Sequence, residues 1–171
     1  MQSRSHALDS TLRGSPHRPS QMPCPRVLSV QSSVVSGYVG NKSATLPLQL
    51  HGFDVDPINS VQFSNHTGYG TFTGQKLSGD ELATLLRGLE ANGLLRYDYV
   101  LSGYIGNESC LRQLVGIVQR IKELNPEMKF FCDPVMGDGG KLYVPEAFVS
   151  IYREMLLPLA YVVFPNQTEI E

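Results

Sequence analysis

The chain has 171 residues, 42% of them hydrophobic and 18% charged, with a formal net charge of −2. That length suits one domain with a real core, and the near-neutral balance argues against a nucleic-acid-binding surface. No apolar run approaches the roughly 18 residues needed to cross a bilayer, and the glycines and prolines follow no collagen-like period.

Residues 1–25 stand apart from the rest. Ser3, Ser5, Ser10, Ser15 and Ser20 alternate with Arg4, Arg13 and Arg18, and Asp9 is the one acid. An organelle-targeting leader has this composition, but Pro16, Pro19, Pro23 and Pro25 interrupt any amphipathic helix. The expectation is a disordered N-terminal extension in a cytoplasmic protein, with targeting, or a true start at Met22, as the alternatives.

From Arg26 onward, short β-branched or aromatic runs alternate with helical periodicity, the pattern of an α/β fold. Residues 26–32 (RVLSVQS) read as the first strand. Residues 41–50 read as a helix closed by Gly52, with Pro47 bending it or confining it to short pieces. Residues 54–64 are a second extended run. Ser78 and Glu81 form a capping box ahead of Leu82, Leu85, Leu86 and Leu89. Residues 97–104 are the next strand, followed by a helix with Leu111, Leu114, Val115, Val118 and Ile121 in one stripe, ended by Asn125-Pro126. Residues 129–135 (KFFCDPV) read as a strand covered on both faces. Pro145 opens a helix through about Leu157, residues 161–164 are another buried strand, and 166–169 begin a further helix. A central-type strand followed by one helical turn suggests the N-terminal part of a larger domain.

Three widely spaced cysteines (Cys24, Cys110, Cys132) offer neither a zinc motif nor a disulfide framework. Sequons at Asn41, Asn65, Asn107 and Asn166 read as chance matches, since no signal peptide is visible. In open parallel sheets ligands bind beyond the carboxyl ends of the strands. Those positions hold Ser32, residues 64–68 (SNHTG), 102–104 (SGY), 133–138 (DPVMGD) and 165–169 (PNQTE). Hydroxyls on the early strands suit a small polar substrate, whereas carboxylates on the later ones suit Mg²⁺ with its phosphates. Ser32 also reads as a turn cap, His66 as a structural histidine, and Asp133 and Asp138 as turn residues. No phosphate-binding P-loop or dinucleotide fingerprint occurs. Spacing alone ends at an α/β fold with phosphate or nucleotide chemistry.

At these same segments the sequence resembles the pyridoxal kinases of the ribokinase-like superfamily. The stretches that carry the resemblance are RVLSVQSSVVSGYVGNKSATLPLQLHGFDVDPINSVQFSNHTGY (26–69), with GYVGN (37–41) and SNHTGY (64–69) its most specific parts, YDYVLSGYIG (97–106), CDPVMGD (132–138), YVPE (143–146) and FPNQTEIE (164–171). It implies a three-layer fold with a central, mainly parallel sheet, in which residues 26–171 form the part before the C-terminal half. The implied reaction moves the γ-phosphate of ATP to the 5′-hydroxymethyl group of pyridoxal, pyridoxine or pyridoxamine. By the same resemblance, Ser32, Val39, Thr67 and Tyr104 would contact the vitamer, and Asp133, Tyr143 and Asn166 would contact ATP. Asp133 and Asp138 would sit by the phosphates and Mg²⁺, with Asp138 the better Mg²⁺ candidate, and Glu169 would orient metal-bound water; K⁺ or Na⁺ would be the monovalent cation and a homodimer the assembly. Phe164 stands where relatives often carry a hydroxyl, so no side-chain cation ligand is expected there. The family's catalytic aspartate lies in a G-x-G-D segment, and none occurs up to Glu171. The resemblance therefore puts the base beyond Glu171, and this chain alone is expected to be inactive. The alternatives are a non-catalytic vitamer-binding or dimerisation module and a related small-molecule kinase.

Overall fold

The structure is a computed structural model that describes residues 24–170. The expectation for the N-terminal extension lies outside the described residues, except that the Pro25 carbonyl already accepts a hydrogen bond from the Asp54 amide. Glu171, beyond which the catalytic base is expected, lies outside the described residues as well. Strand β1 (Arg26–Val34) is buried continuously from Val27 to Ser32, because a central parallel strand is covered on both faces. Helix α1 (Gly40–Leu50) follows. It closes as expected, with the Phe53 amide donating to Leu48 and the Gly52 amide to Gln49. Pro47 does not split it, because the carbonyl it leaves without a donor belongs to exposed Ser43, which water can serve.

Strand β2 (Asp54–Phe63) leads to a three-residue strand β3 (Gly74–Lys76) that the sequence pattern did not reveal. Helix α2 (Gly79–Ala91) carries the complete Ser78–Glu81 capping box; Leu82 and Leu86 are buried, whereas Leu85 is half exposed. Ser78→Ala is expected to lower stability by about 1 kcal/mol, because the Glu81 amide loses its acceptor. Urea unfolding of the variant against the parent chain checks this. Strand β4 (Tyr99–Ser102) is shorter than its apolar run, and helix α3 (Glu108–Leu124) buries the whole expected stripe plus Cys110 and Ile117.

Strand β5 (Lys129–Cys132) is followed by a hairpin of β6 (Gly137–Asp138) and β7 (Lys141–Leu142). The single helix expected from Pro145 is instead α4 (Ala147–Ile151), a π-helical turn (Tyr152–Leu156) and a 3₁₀ turn (Leu157–Leu159). Pro158 is the physical reason for that ending, since it has no amide proton for an α-helical ladder. Strand β8 (Val162–Val163) and the short helix α5 (Gln167–Ile170) complete the described chain.

The main sheet has the order β3-β2-β1-β4-β5-β8, with β3 antiparallel and the other neighbours parallel. Counting only the parallel strands, the order reverses between β1 and β4. That reversal opens a crevice at their carboxyl ends, the usual ligand position in such sheets. Helices α2, α3 and α4 cover one face, burying Leu28, Val30, Val100, Phe130 and Cys132. On the other face α1 lies over β1 and β2. Beyond it runs an aromatic row of Phe53, Tyr99, Phe131, Tyr161 and Phe164, with neighbouring ring centroids 5.6 to 6.1 Å apart. The three described thiols are free, and Cys110 and Cys132 are buried. Among the described residues no helix is long and apolar enough to cross a membrane.

Candidate active site at the carboxyl edge of the sheet

Ser32 lies near the end of β1, at the crevice where the strand order reverses. Gly40, the first residue of α1, presses against it. A Cβ there would fall 2.3 Å from the Ser32 carbonyl oxygen and 2.7 Å from its hydroxyl. Gly40 also has φ of +43°, in the left-handed region that glycine enters without penalty. Tyr104 follows β4 on the opposite side of the crevice. Val39 and Tyr104 both pack on the small cluster of Val34, Val61 and Phe63. Val39 and Tyr104 therefore share one cluster, and Ser32 is the register partner of its Val61; burial raises the Tyr104 phenol above its ordinary range.

Thr67 stands on the loop after β2 and is exposed. That loop is closed by its own hydrogen bonds. The Asn65 side-chain amide donates to the Thr71 carbonyl at 3.0 Å, and the Ser64 amide donates to the Thr73 carbonyl at 2.7 Å. His66 Nδ1 accepts from the Gly68 amide at 3.0 Å, so its role here is to shape the loop.

The later strands bring the acidic residues to the same edge. Asp133 directly follows β5. Burial first, and then the negative charge of Glu169, raise its carboxyl to a pKa of about 6. Glu169 accepts from the Met136 amide on one oxygen and from the Asn166 amide on the other, both at 2.9 Å. Asn166 in turn donates from Nδ2 to the Gly137 carbonyl at 2.7 Å, and Thr168 Oγ1 accepts from the Gly140 amide at 2.9 Å. Helix α5 and the β6–β7 hairpin thus hold each other. Asp138 turns its carboxylate onto the Gly139 amide at 2.8 Å, within the hairpin's own Gly139-Gly140 turn. Tyr143 is exposed beyond the hairpin; burial of its phenol, then Glu169, Asp138 and Asp133, raise it.

Among the described residues, no three ligand-type side chains close into a metal cage. Asp133 and Glu169 interact electrostatically, and Asp138 accepts from the amide of its own turn. Mg²⁺ commonly takes only one or two carboxylates and completes its shell with phosphate oxygens and water. The hard oxygens and the strained ionisation of Asp133 fit such an ion. Phe164 stacks its ring on Phe131 at 6.1 Å and offers no side-chain cation ligand.

A groove of about 500 Å³ lies instead toward the start of β1 and β2, lined by Arg26, Asp56, Leu85, Leu89 and Tyr97 among others. Its polar groups serve one another: Asp56 Oδ2 accepts from Arg26 at 2.6 Å and from the Tyr97 hydroxyl at 2.8 Å. Cys110 and Cys132 are pushed up to about 12 by burial, so neither supplies a thiolate. Sequence reasoning missed the β6–β7 hairpin, whose signal was Asp138-Gly139-Gly140, and a buried polar cluster around Asn41 and Ser60.

No family model matches the chain. Over 146 residues it is 60% identical to pyridoxal kinase from Arabidopsis thaliana, covering 85% of this chain and 47% of that protein. Human pyridoxal kinase is 52% identical over 150 residues. Its homologues are pyridoxal kinases. A solved pyridoxal kinase from Leishmania donovani, in complex with ADP and pyridoxine, superposes with a TM-score of 0.80 at 51% identity. It matches 84% of this chain and 50% of that one. A putative phosphomethylpyrimidine kinase from Bacteroides thetaiotaomicron also reaches 0.80, at 26% identity. The fold is thus the ribokinase-like fold of the pyridoxal kinases, and the chain spans about half the length of the curated relatives it matches.

Proposed function

We propose that this chain builds the vitamer-binding and phosphate-facing half of a pyridoxal kinase. In that reaction the vitamer's 5′-hydroxyl oxygen bonds to the γ-phosphorus of ATP. The bond from that phosphorus to the β-phosphate bridging oxygen breaks, ADP leaves, and the hydroxyl proton is released. The observation that carries the reading is that Val39 and Tyr104 pack on one cluster, one of whose members, Val61, is the register partner of Ser32 beside the point where the strand order reverses. Relatives at 51–60% identity give it support, one of them described with ADP and pyridoxine.

Phosphoryl transfer depends on positioning and on compensation of phosphate charge. Ser32 and Thr67 would hydrogen-bond the ring substituents, with Tyr104 and Val39 packing on the ring. Asp133, with Glu169 beside it, would hold Mg²⁺, which would neutralise phosphate charge when bound. Asn166 and Tyr143 would lie along the nucleotide. A catalytic base beyond Glu171, a monovalent cation and a homodimer belong to the same reading.

Titration of pyridoxine into the 171-residue chain tests the proposal; pyridoxine has no aldehyde to condense with lysines. Saturable binding is expected, and Thr67→Ala should weaken it about tenfold, the worth of one hydrogen bond. Because a pyrimidine kinase shares the fold, hydroxymethylpyrimidine is the competitor to include. Binding indifferent to Thr67→Ala, or tighter for the pyrimidine, would discard the pyridoxal assignment.

A further inference from the structure

The hydrogen-bonded register between β1 and β2 contains a step. Gln31 pairs with Asn59, but Ser32 pairs with Val61, so Ser60 is one residue too many on β2. Bulges of this kind are uncommon in parallel pairs and re-aim the residues beside them. Ser60 is fully buried. Its hydroxyl donates to the Tyr104 carbonyl at 2.5 Å, and its own carbonyl accepts from the Leu77 amide at 2.9 Å.

Asn41, from the first turn of α1, reaches the same step from the other side and is 4% exposed. Its Nδ2 donates to the Ile58 carbonyl at 2.8 Å and to Asn59 Oδ1 at 2.9 Å, with a longer contact to the Gln31 carbonyl at 3.3 Å. Its Oδ1 accepts from the Ser29 hydroxyl at 2.7 Å, and that hydroxyl accepts from Gln31 Nε2 at 2.9 Å. One buried amide therefore ties both strands together at the last residue pair before the step. Buried polar networks specify a single arrangement when each member is satisfied.

We infer that Ser60 and Asn41 are positioning residues for the vitamer pocket: Ser60 holds Tyr104 through its backbone, and Asn41 locks the step that presents Ser32. The inference rests on the vitamer-site reading of Ser32 and Tyr104. Neither residue touches the vitamer in it. Each acts through the residue it holds.

The test uses the ¹⁵N-labelled 171-residue chain, following pyridoxine affinity and the amide signals of Ser32 and Tyr104. Ser60→Ala is expected to keep the folded spectrum, shift both amides and weaken pyridoxine about tenfold. Asn41→Asp should bind about tenfold more weakly than the parent chain at pH 8. It should approach parental affinity at pH 5, where a protonated carboxyl regains a donor; every hydrogen-bond partner of Asn41 is uncharged. A purely packing role would lose affinity equally at both pH values, and that result overturns the assignment of Asn41. Parental pyridoxine affinity in Ser60→Ala overturns the inference as a whole. If Asn41→Asp does not fold, Ser60→Ala alone decides. If the parent chain shows no response to pyridoxine, the functional reading fails, and the Ser32 amide of Ser60→Ala still judges the coupling: unmoved, it refutes the inference.

Discussion

Gly40→Ala is expected to lower stability by about 2–5 kcal/mol and to remove measurable pyridoxine binding. Two costs add. A non-glycine residue in the left-handed region loses about 1–2 kcal/mol, and forcing a methyl group into a packed site typically costs about 1–3 kcal/mol. Here the new Cβ would meet the Ser32 backbone, 2.3 Å from its carbonyl oxygen and 2.8 Å from its nitrogen. A flexible side chain could give way; a central strand cannot without shifting Ser32 itself. Gly52→Ala is the control. It also has positive φ, at +87°, but nothing lies within 4 Å of its Cβ position, so it should show backbone strain alone and retain binding. Denaturant unfolding and pyridoxine titration of both variants check the contrast. Equal behaviour of the two would mean that the contact with Ser32 has no bearing on the pocket.

The second large effect concerns Asp133 and follows from the direction of its shift. In the unfolded chain an aspartate ionises near pH ~3.9, whereas in the fold Asp133 does so at about 6, through burial and then Glu169. The folded state therefore holds the proton more tightly. The stability contributed by that proton is complete below about pH 4 and is lost as the pH rises through about 6. Asp133→Asn keeps the shape and removes the charge. It should equal the parent chain near pH 4 and exceed it at pH 8, by on the order of 1 kcal/mol once solvent screening of this part-exposed group is counted.

Mg²⁺ should invert that order at pH 8. The parent chain gains thermal stability by mass action on the ion, and Asp133→Asn, with its carboxylate gone, gains little. The parental gain should fade as the pH drops through about 6. Thermal melts at both pH values, with and without Mg²⁺, read this out. A Mg²⁺ effect that survives Asp133→Asn would remove Asp133 from the cation site.

The long periodic elements were legible before any coordinates. The apolar stripe of Leu111 to Ile121 and the Ser78–Glu81 box specify α3 and α2 through nearest-neighbour physics alone. Strands β3, β6 and β7 were not, because two or three residues carry no alternation to detect. The helix from Pro145 was misjudged in its second half, where Pro158 replaces α-helical turns by π and 3₁₀ ones. Ser32, Asp133, Asn166 and Glu169 could be named as candidates from their strings, since a motif shows itself as residue types at fixed spacing along the chain. Asn41 lies within one such string too, yet its role was invisible there: its partners are 10 to 18 positions away on two other elements.

By itself the sequence determined the α/β class, the alternation of elements, and the hydroxyls and carboxylates available at the strand ends. Only the tertiary structure decided which of them meet. The reversal of strand order between β1 and β4 brings Ser32 beside the loop of Tyr104, and the extra residue Ser60 ties that loop to β2. The fold sets Glu169 close enough to Asp133 to raise its carboxyl, while Asp138 engages the amide of the β6–β7 turn. Strand order, register and turn geometry join residues tens of positions apart, and local propensity and periodicity hold no information about such pairs.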